Sequence, residues 1–247
     1  MRSLLVYDWP TRIFHWSFAG FFVVSFAISN LIDDDSARFP LHMLSGMAMC
    51  SVILLRLMWS LVGTRHARFS DLVLWPGSLL GYFRGMFSGA THRWIGHNPA
   101  SSWAAVVMVC LGLGLGVTGY LMTTGPESDL LEEAHELMAN AFLVVVLLHI
   151  GGLVAHALRY RDRLAGSMVT GTKQVSSPDQ PVRSRPFVGL LFVVLTALSV
   201  TYLLRHYDAQ ARTLELFGQT LQLAENEKGG ESAEAGEGGH EAGNEHE

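Results

Sequence analysis

The sequence is poor in charge and almost free of cysteine, and each shortage excludes a class of protein. Lysine, arginine, aspartate and glutamate make up 16% of the 247 residues, whereas soluble domains average about 25%. Hydrophobic residues make up 49%, so lipid is the expected surroundings of much of the chain. The two cysteines, Cys50 and Cys110, stand in apolar stretches. No Cys-x-x-Cys-His sequence is present for covalent haem attachment, and no disulfide framework is implied.

Signals for soluble catalysis are also missing. The sequence has no iron–sulfur motif and no nucleotide-binding loop, so a catalytic partner would be another chain. Residues 1–12 lack the basic, apolar and small-residue regions of a secretory signal, so we expect the N-terminus to be retained. No nucleic-acid partner is expected.

Five apolar stretches are long enough, or nearly so, to cross a hydrocarbon core of about 30 Å as helices. They cover about 13–31, 41–62, 101–123, 134–158 and 187–204. The stretches are continuously apolar and do not alternate, which favours helices over a β-barrel. The sequence therefore predicts an all-α, integral membrane four-helix bundle over 1–175, with an additional fifth transmembrane helix within 176–206. A short interfacial helix is expected near 76–87.

The distribution of positive charge predicts the orientation of the spans. With the N-terminus in the cytoplasm, twelve lysine and arginine residues fall on the cytoplasmic side and four on the other. We therefore expect a multi-pass protein of the bacterial inner membrane, with its C-terminus in the periplasm. Residues 207–247 should form an extramembrane, acidic and largely disordered tail, because eight glutamates and one lysine follow position 224.

Histidines within the spans carry the strongest functional signal, because an imidazole in lipid is costly. His135 and His149, on the fourth span, are 14 residues apart. That spacing corresponds to about 21 Å of helix and to a rotation only about 40° off the same face. One helix can therefore supply an axial ligand to each of two haems near opposite membrane faces.

Each haem needs a second imidazole at equal depth. His42 lies within a turn of the outer face, as His135 does, and His15 lies about 24 Å deep, level with His149. The predicted pairs are His42 with His135 and His15 with His149, which suit low-spin iron and electron transfer. His156, two turns beyond His149, is an alternative ligand at the inner site.

Two further residues fit a haem bundle. Arg56, roughly 24 Å down the second span, could be the counter-ion of haem propionates or could extend to the inner interface. Gly46, one turn from His42, would leave room for a porphyrin face. These residues extend the candidate cofactor site beyond the four histidines.

Several motifs resemble the bacterial cytochrome b561 family, which includes the b-type cytochrome subunits of membrane-bound nickel–iron hydrogenases. The matching stretches include Asp8-Trp9-Pro10-Thr11-Arg12-Ile13-Phe14-His15-Trp16, His42-x-x-x-Gly46, Arg93-Trp94-Ile95-Gly96-His97-Asn98-Pro99, His135-Glu136 and Leu148-His149. The resemblance covers about residues 6–160. It implies a four-helix core with two b haems per chain, bis-histidine ligation and electron exchange with a quinone pool.

The resemblance also draws attention to His97, which either serves a quinone site or proton relay or makes a structural hydrogen bond. The leading functional hypothesis is an electron-transfer subunit of a respiratory oxidoreductase, working between quinone and a redox partner such as a c-type cytochrome or a hydrogenase-like subunit. Alternatives are a self-sufficient superoxide:quinone oxidoreductase and a haem-bearing membrane anchor. Self-association into an oligomer is left open.

Overall fold

Five long helices dominate the computed structural model, which describes residues 2–88, 94, 96–126, 128–160, 166–175 and 180–223. They are α1 (Trp9–Leu31), α2 (Pro40–Val62), α4 (Pro99–Thr124), α5 (Asp129–Tyr160) and α7 (Pro186–His206). All five are long and apolar enough to cross a membrane. The predicted all-α membrane bundle with a fifth span is therefore confirmed. Two shorter helices, α3 (Pro76–Ser88) and α6 (Ser167–Thr170), lie between the spans.

Capping side chains explain why some spans begin earlier than their apolar stretches. The carboxylate of Asp8 accepts a hydrogen bond from the backbone N–H three residues on, and Asn98 does the same for α4. A proline occupies the first turn of both helices, where its missing N–H costs nothing. Helix α5 begins at Asp129, because Asp129 and Glu132 place negative charge in its first turn.

The spans pack as two antiparallel pairs. Helix α1 packs along α2 and α4 packs along α5, while α2 also contacts α4 and α7 packs against α1 and α2. We call the end at which α1 begins the lower end and the end at which α1 finishes the upper end. Phe18 and Phe22 of α1, Met49 and Ile53 of α2 and Phe142 of α5 form a buried cluster between the pairs.

Short strands close both ends of the bundle. At the lower end, β1 (Arg2–Leu5) pairs antiparallel with β2 (Thr172–Val175). At the upper end, β3 (Tyr207–Asp208), β4 (Thr213–Leu216) and β5 (Gln219–Gln222) form an antiparallel sheet in that order. The chain therefore leaves its last span directly into a folded segment.

This upper sheet differs from the disordered tail expected for 207–247. Leu214, Leu221 and Leu223 are fully buried and pack against Leu44 of α2 and Leu203 of α7. Burial of these leucines stabilises the strands, since each fully buried leucine contributes about 1.5–3 kcal/mol. The acidic remainder, 224–247, lies outside the described residues.

Asp8 also joins α1 to the lower end of α2. Its second carboxylate oxygen accepts hydrogen bonds from Trp59 Nε1 at 3.0 Å and from Thr64 Oγ1 at 2.8 Å. Asp8 is only 1% exposed and Trp59 is buried, so these donors have no alternative partner in water. The motif that begins at Asp8 therefore fixes the relative position of the two helices.

Replacing Asp8 with Ala should lower the free energy of unfolding by about 2–4 kcal/mol, because the helix cap is lost and the buried Trp59 N–H is left unpaired. Asp8→Asn should cost less, since asparagine caps helices and keeps one acceptor oxygen. Unfolding in mixed micelles with increasing SDS measures both. Equal losses in the two variants would contradict a role based on hydrogen bonding.

Candidate haem sites

His42 of α2 and His135 of α5 face each other near the upper end of the bundle. Their ring centroids are 6.1 Å apart, with the ring planes at 67°. The structure thus brings together the pair that the sequence predicts for the outer site. Whether the two rings could share an iron depends on which nitrogen of each ring is available.

In His42 the Nδ1 atom is occupied. It lies 2.9 Å from the carbonyl oxygen of Ser25, to which its N–H donates. The Ser25 hydroxyl donates in turn to the carbonyl oxygen of His42 at 3.1 Å. A proton on Nδ1 leaves the lone pair on Nε2, which is the tautomer that a metal ligand needs.

His135 has the same arrangement with a different partner. Its Nδ1 lies 2.8 Å from Thr118 Oγ1. The Thr118 hydroxyl also lies 3.0 Å from the carbonyl oxygen of Gly114 on its own helix and donates its proton there, so its oxygen accepts from Nδ1–H. The Nε2 lone pair of His135 is therefore available as well.

The spacing of the two rings fits one metal ion between them. Metal–imidazole bonds in proteins are about 2.0 Å long, so two imidazoles on opposite sides of one ion have their ring centroids about 6 Å apart. The observed separation is 6.1 Å. Beside this pair, a Cβ atom added to Gly46 would meet only Ser25 Oγ within 4 Å, at 3.9 Å, so the space next to Gly46 is open.

The second predicted pair lies towards the lower end. The imidazoles of His15 and His149 are close enough to interact electrostatically, and the Trp16 ring stands edge-on to His15 at 5.2 Å. His156 instead lies beside α3, where its Nδ1 is 3.4 Å from the Tyr82 hydroxyl. His156 therefore contacts a helix that carries none of the predicted ligands.

Arg56 lies towards the same end of the bundle, and one of its hydrogen-bond donors is buried without a partner among the described residues. Its guanidinium carbon is 5.6 Å from the centroid of the Phe14 ring, and its charge interacts with that of Asp8. Its Nη1 atom is buried without a hydrogen-bond partner among the residues that the structure describes. Buried polar atoms are rarely left so, and a carboxylate is the partner that a guanidinium fits best.

His97 is the second such group at the lower end. Its Nδ1 atom is buried without a hydrogen-bond partner in the described part of the chain, and its ring stands 5.7 Å from that of Tyr7. Burial, together with the nearby positive charges of Arg56 and Lys173, lowers the pKa of His97 to about 3. His97 is therefore a neutral imidazole at physiological pH.

Tyr7 and Lys173 complete the surroundings of His97, and sequence reasoning gave neither of them a role. Lys173 Nζ donates to the Gly96 carbonyl oxygen at 2.9 Å and to the Tyr7 hydroxyl at 3.2 Å. Burial raises the pKa of Tyr7, so its phenol stays protonated. Only the position of Tyr7 beside Asp8 could have identified it from the sequence.

Ser25 and Thr118 were missed as well, although a regular spacing could have revealed them. Each lies 17 residues before the histidine that it contacts, on the preceding helix of an antiparallel pair. A hydroxyl residue in an apolar span, at the depth of a histidine on the next span, is the signal in both cases.

Comparisons with known proteins show which proteins the chain is similar to. A probable Ni/Fe-hydrogenase B-type cytochrome subunit of Rhizobium leguminosarum bv. viciae is 24% identical over 215 residues, which cover 70% of this chain and 89% of that protein. A protein of the same description from Rhodobacter capsulatus is 24% identical over 216 residues, covering 68% and 80%. No solved structure matches. The profile of the family described as Prokaryotic cytochrome b561 matches residues 6–171, more than half of the chain. The chain therefore belongs to the prokaryotic cytochrome b561 family, the membrane cytochromes that carry electrons on b-type haem.

Proposed function

We propose that the chain carries electrons through two b haems, between a quinone pool and a redox partner protein. The upper haem would bind between His42 and His135, and the lower haem between His15 and His149. The observation that carries the proposal is the upper pair, with rings 6.1 Å apart and both Nδ1 atoms engaged elsewhere. When bound, each haem supplies a one-electron carrier.

The protein's own contribution at the upper site is orientation. The Ser25 carbonyl and the Thr118 hydroxyl hold the two imidazole rings in place and fix their tautomers. Two neutral imidazoles would hold the haem iron between them, and they would leave it no free coordination position for oxygen. This arrangement favours electron transfer over oxygen activation.

At the lower end, Arg56 would bind a haem propionate. Its unpartnered Nη1 supplies the donor, and the interaction of its charge with that of Asp8 helps to hold the guanidinium in place. Burial of a guanidinium without an anion is costly, so the haem carboxylate and Arg56 would stabilise each other. Arg56 thereby fits the counter-ion role rather than that of a side chain extended to the interface.

His97 would form part of a quinone site beside the lower haem. A neutral imidazole with an unpartnered nitrogen can hydrogen-bond to a quinone ring oxygen. A weak electrostatic interaction of His97 with His149 supports a position towards the proposed lower haem. Tyr7 and Lys173 hold one another and the Gly96 carbonyl beside it.

The redox partner would dock at the upper end, in the periplasm if the lower end is cytoplasmic as the charge distribution indicates. The similarity to hydrogenase B-type cytochrome subunits supports a hydrogenase-like partner, and a c-type cytochrome is the alternative. The upper loops are acidic, with Asp33, Asp34 and Asp35 in one of them. Acidic loops repel superoxide, which disfavours a superoxide oxidoreductase.

Reduction of the purified protein by quinol tests the proposed function. Pyridine haemochrome assay should give two b haems per chain, and a short-chain quinol should reduce both. A single haem per chain would rule out the two-site account. Catalytic consumption of superoxide would favour the self-sufficient enzyme, and no reduction by quinol without a second protein would favour an anchoring role.

Thr118→Val should weaken the retention of the upper haem by about tenfold or more, because loss of a hydrogen bond to a metal-bound histidine typically costs 10–100-fold in affinity. Transfer of haem to excess apomyoglobin measures the loss. Thr123→Val is the matched control, since the Thr123 hydroxyl donates only to the Tyr120 carbonyl of its own helix. Equal retention in both variants would argue against ligation by His135.

His149→Ala should remove the lower haem and leave the upper one, whereas His156→Ala should keep both. The reason is that His149 interacts with His15, while His156 lies beside Tyr82. Haem content and low-temperature spectra distinguish the variants. The opposite pattern would assign the lower haem to His156.

His97→Leu should raise the KM for quinol about two- to tenfold with little change in kcat, because one neutral hydrogen bond is lost. His97→Asn should restore part of the affinity, since its amide nitrogen can take the position of Nδ1. Haem content and reduction by dithionite should be unchanged in both. A KM equal to that of the wild type in the leucine variant would place the quinone elsewhere.

A further inference from the structure

A continuous series of phenylalanine rings connects the two haem sites. We call it the aromatic ladder and define it as Phe14, Phe18, Phe22 and Phe26 of α1 with Phe142 of α5. Centroid separations are 5.3 Å for Phe14–Phe18, 5.7 Å for Phe18–Phe142, 4.4 Å for Phe142–Phe22 and 5.7 Å for Phe22–Phe26. Each separation lies within the range of direct aromatic contact.

The closest pair of the ladder occupies the middle of the interval between the sites. Phe142 is seven residues from both His135 and His149, and Phe22 is seven residues from His15. Seven residues are about 10.5 Å of helix and return to within about 20° of the same face. Both rings therefore lie on the faces that carry the ligands, halfway between the two depths.

The ends of the ladder reach the surroundings of the two sites. Phe14 lies beneath the guanidinium of Arg56 at the lower end. Phe26 follows Ser25, whose carbonyl holds His42 at the upper end. The ladder thus runs along α1 from the level of Arg56 to the turn whose Ser25 carbonyl holds His42.

The middle of the ladder is closely packed. Phe142 has no exposed surface and Phe22 is 9% exposed, and their planes stack at 22°. Helix α4 approaches this point with Gly112, where an added Cβ atom would come within 2.8 Å of Ile53 and 3.7 Å of Phe142. Gly112 therefore lets α4 approach the stacked rings closely, and neighbouring apolar side chains of α4, such as Leu111 and Leu115, pack around them.

We propose that Phe22 and Phe142 form the bridge through which the electron tunnels between the two haems. The inference rests on the proposed two-haem function. In each transfer one ferrous haem becomes ferric and the other ferric haem becomes ferrous, with no proton moved and no ring oxidised. The two rings act as the medium for tunnelling, because the electronic coupling between donor and acceptor decays faster across empty space than through atoms in contact.

Phe142→Leu should slow transfer between the haems several-fold, and Phe142→Ala should slow it more, because each leaves a larger gap in a rigid core. In proteoliposomes, a pulsed photoreductant on one side reduces the nearer haem, and absorbance then follows the electron to the other. Haem content, both midpoint potentials and the Soret circular-dichroism couplet should stay unchanged in the leucine variant. A change in any of these three measurements would show that the substitution has displaced a haem, so a slower rate without such a change reports on the transfer itself.

Phe192→Leu is the matched control. Phe192 is a buried phenylalanine of α7 that packs against Trp59, in a cluster separate from the one that contains Phe22 and Phe142. Its replacement should leave the rate unchanged. A rate equal to that of the wild type in Phe142→Ala, with two haems present, would overturn the bridge and leave the proposed function standing. One haem in the wild type would instead overturn the proposed function.

Phe22→Leu gives an independent test if Phe142→Ala loses a haem. It removes the partner ring from the same stack and should slow transfer to a similar extent as Phe142→Leu. Loss of a haem in all three variants would show that the rings support the porphyrins rather than bridge them, which would also overturn the proposal.

Discussion

Hydrocarbon offers no hydrogen-bond partner to an imidazole, and the arrangement of the upper site follows from that constraint. Each histidine there must bury one N–H, and the protein provides an acceptor for it, the Ser25 carbonyl for His42 and the Thr118 hydroxyl for His135. Satisfying Nδ1 also determines the tautomer and leaves the lone pair on Nε2. The need to pair a donor in lipid therefore also prepares the two lone pairs for a metal ion.

At the lower end, the same requirement for hydrogen-bond partners is not fully met. Arg56 Nη1, His97 Nδ1 and Trp103 Nε1 are buried there without hydrogen-bond partners in the described part of the chain. Such groups destabilise the bundle unless acceptor oxygens reach them. Haem carboxylates and quinone ring oxygens are acceptors, and the ligands proposed for this end, a haem and a quinone, would supply them. Ligand binding and stability are therefore expected to be coupled more strongly at the lower site than at the upper one.

The sequence predicted the features that follow from the length of each helix and from the depth of each residue along it. The five spans follow from apolar length, and the pairing of His42 with His135 follows from depth, because the rise per residue is constant. Depth also matches Thr118 with His135, but whether the two side chains meet depends on the rotation of one helix against the other, which length and depth do not determine. The upper sheet escaped prediction because Leu214, Leu221 and Leu223 stand among polar residues, and only their burial against α2 and α7 makes the strands stable.

The segments beyond the family profile pack mainly against α1 and α2. Helix α7 packs on α1 and α2 but makes no comparable contact with α5. The upper sheet adds a hydrogen bond from Tyr120 of α4 to Gln219 at 2.6 Å and one from Arg212 to the Asp35 carbonyl at 2.8 Å. Helices α1 and α2, which carry His15 and His42, are thus held from the outside, α4 is joined to the upper sheet, and α5 packs mainly against α4. The two proposed haems, one between His15 and His149 and one between His42 and His135, would join α5 to α1 and to α2.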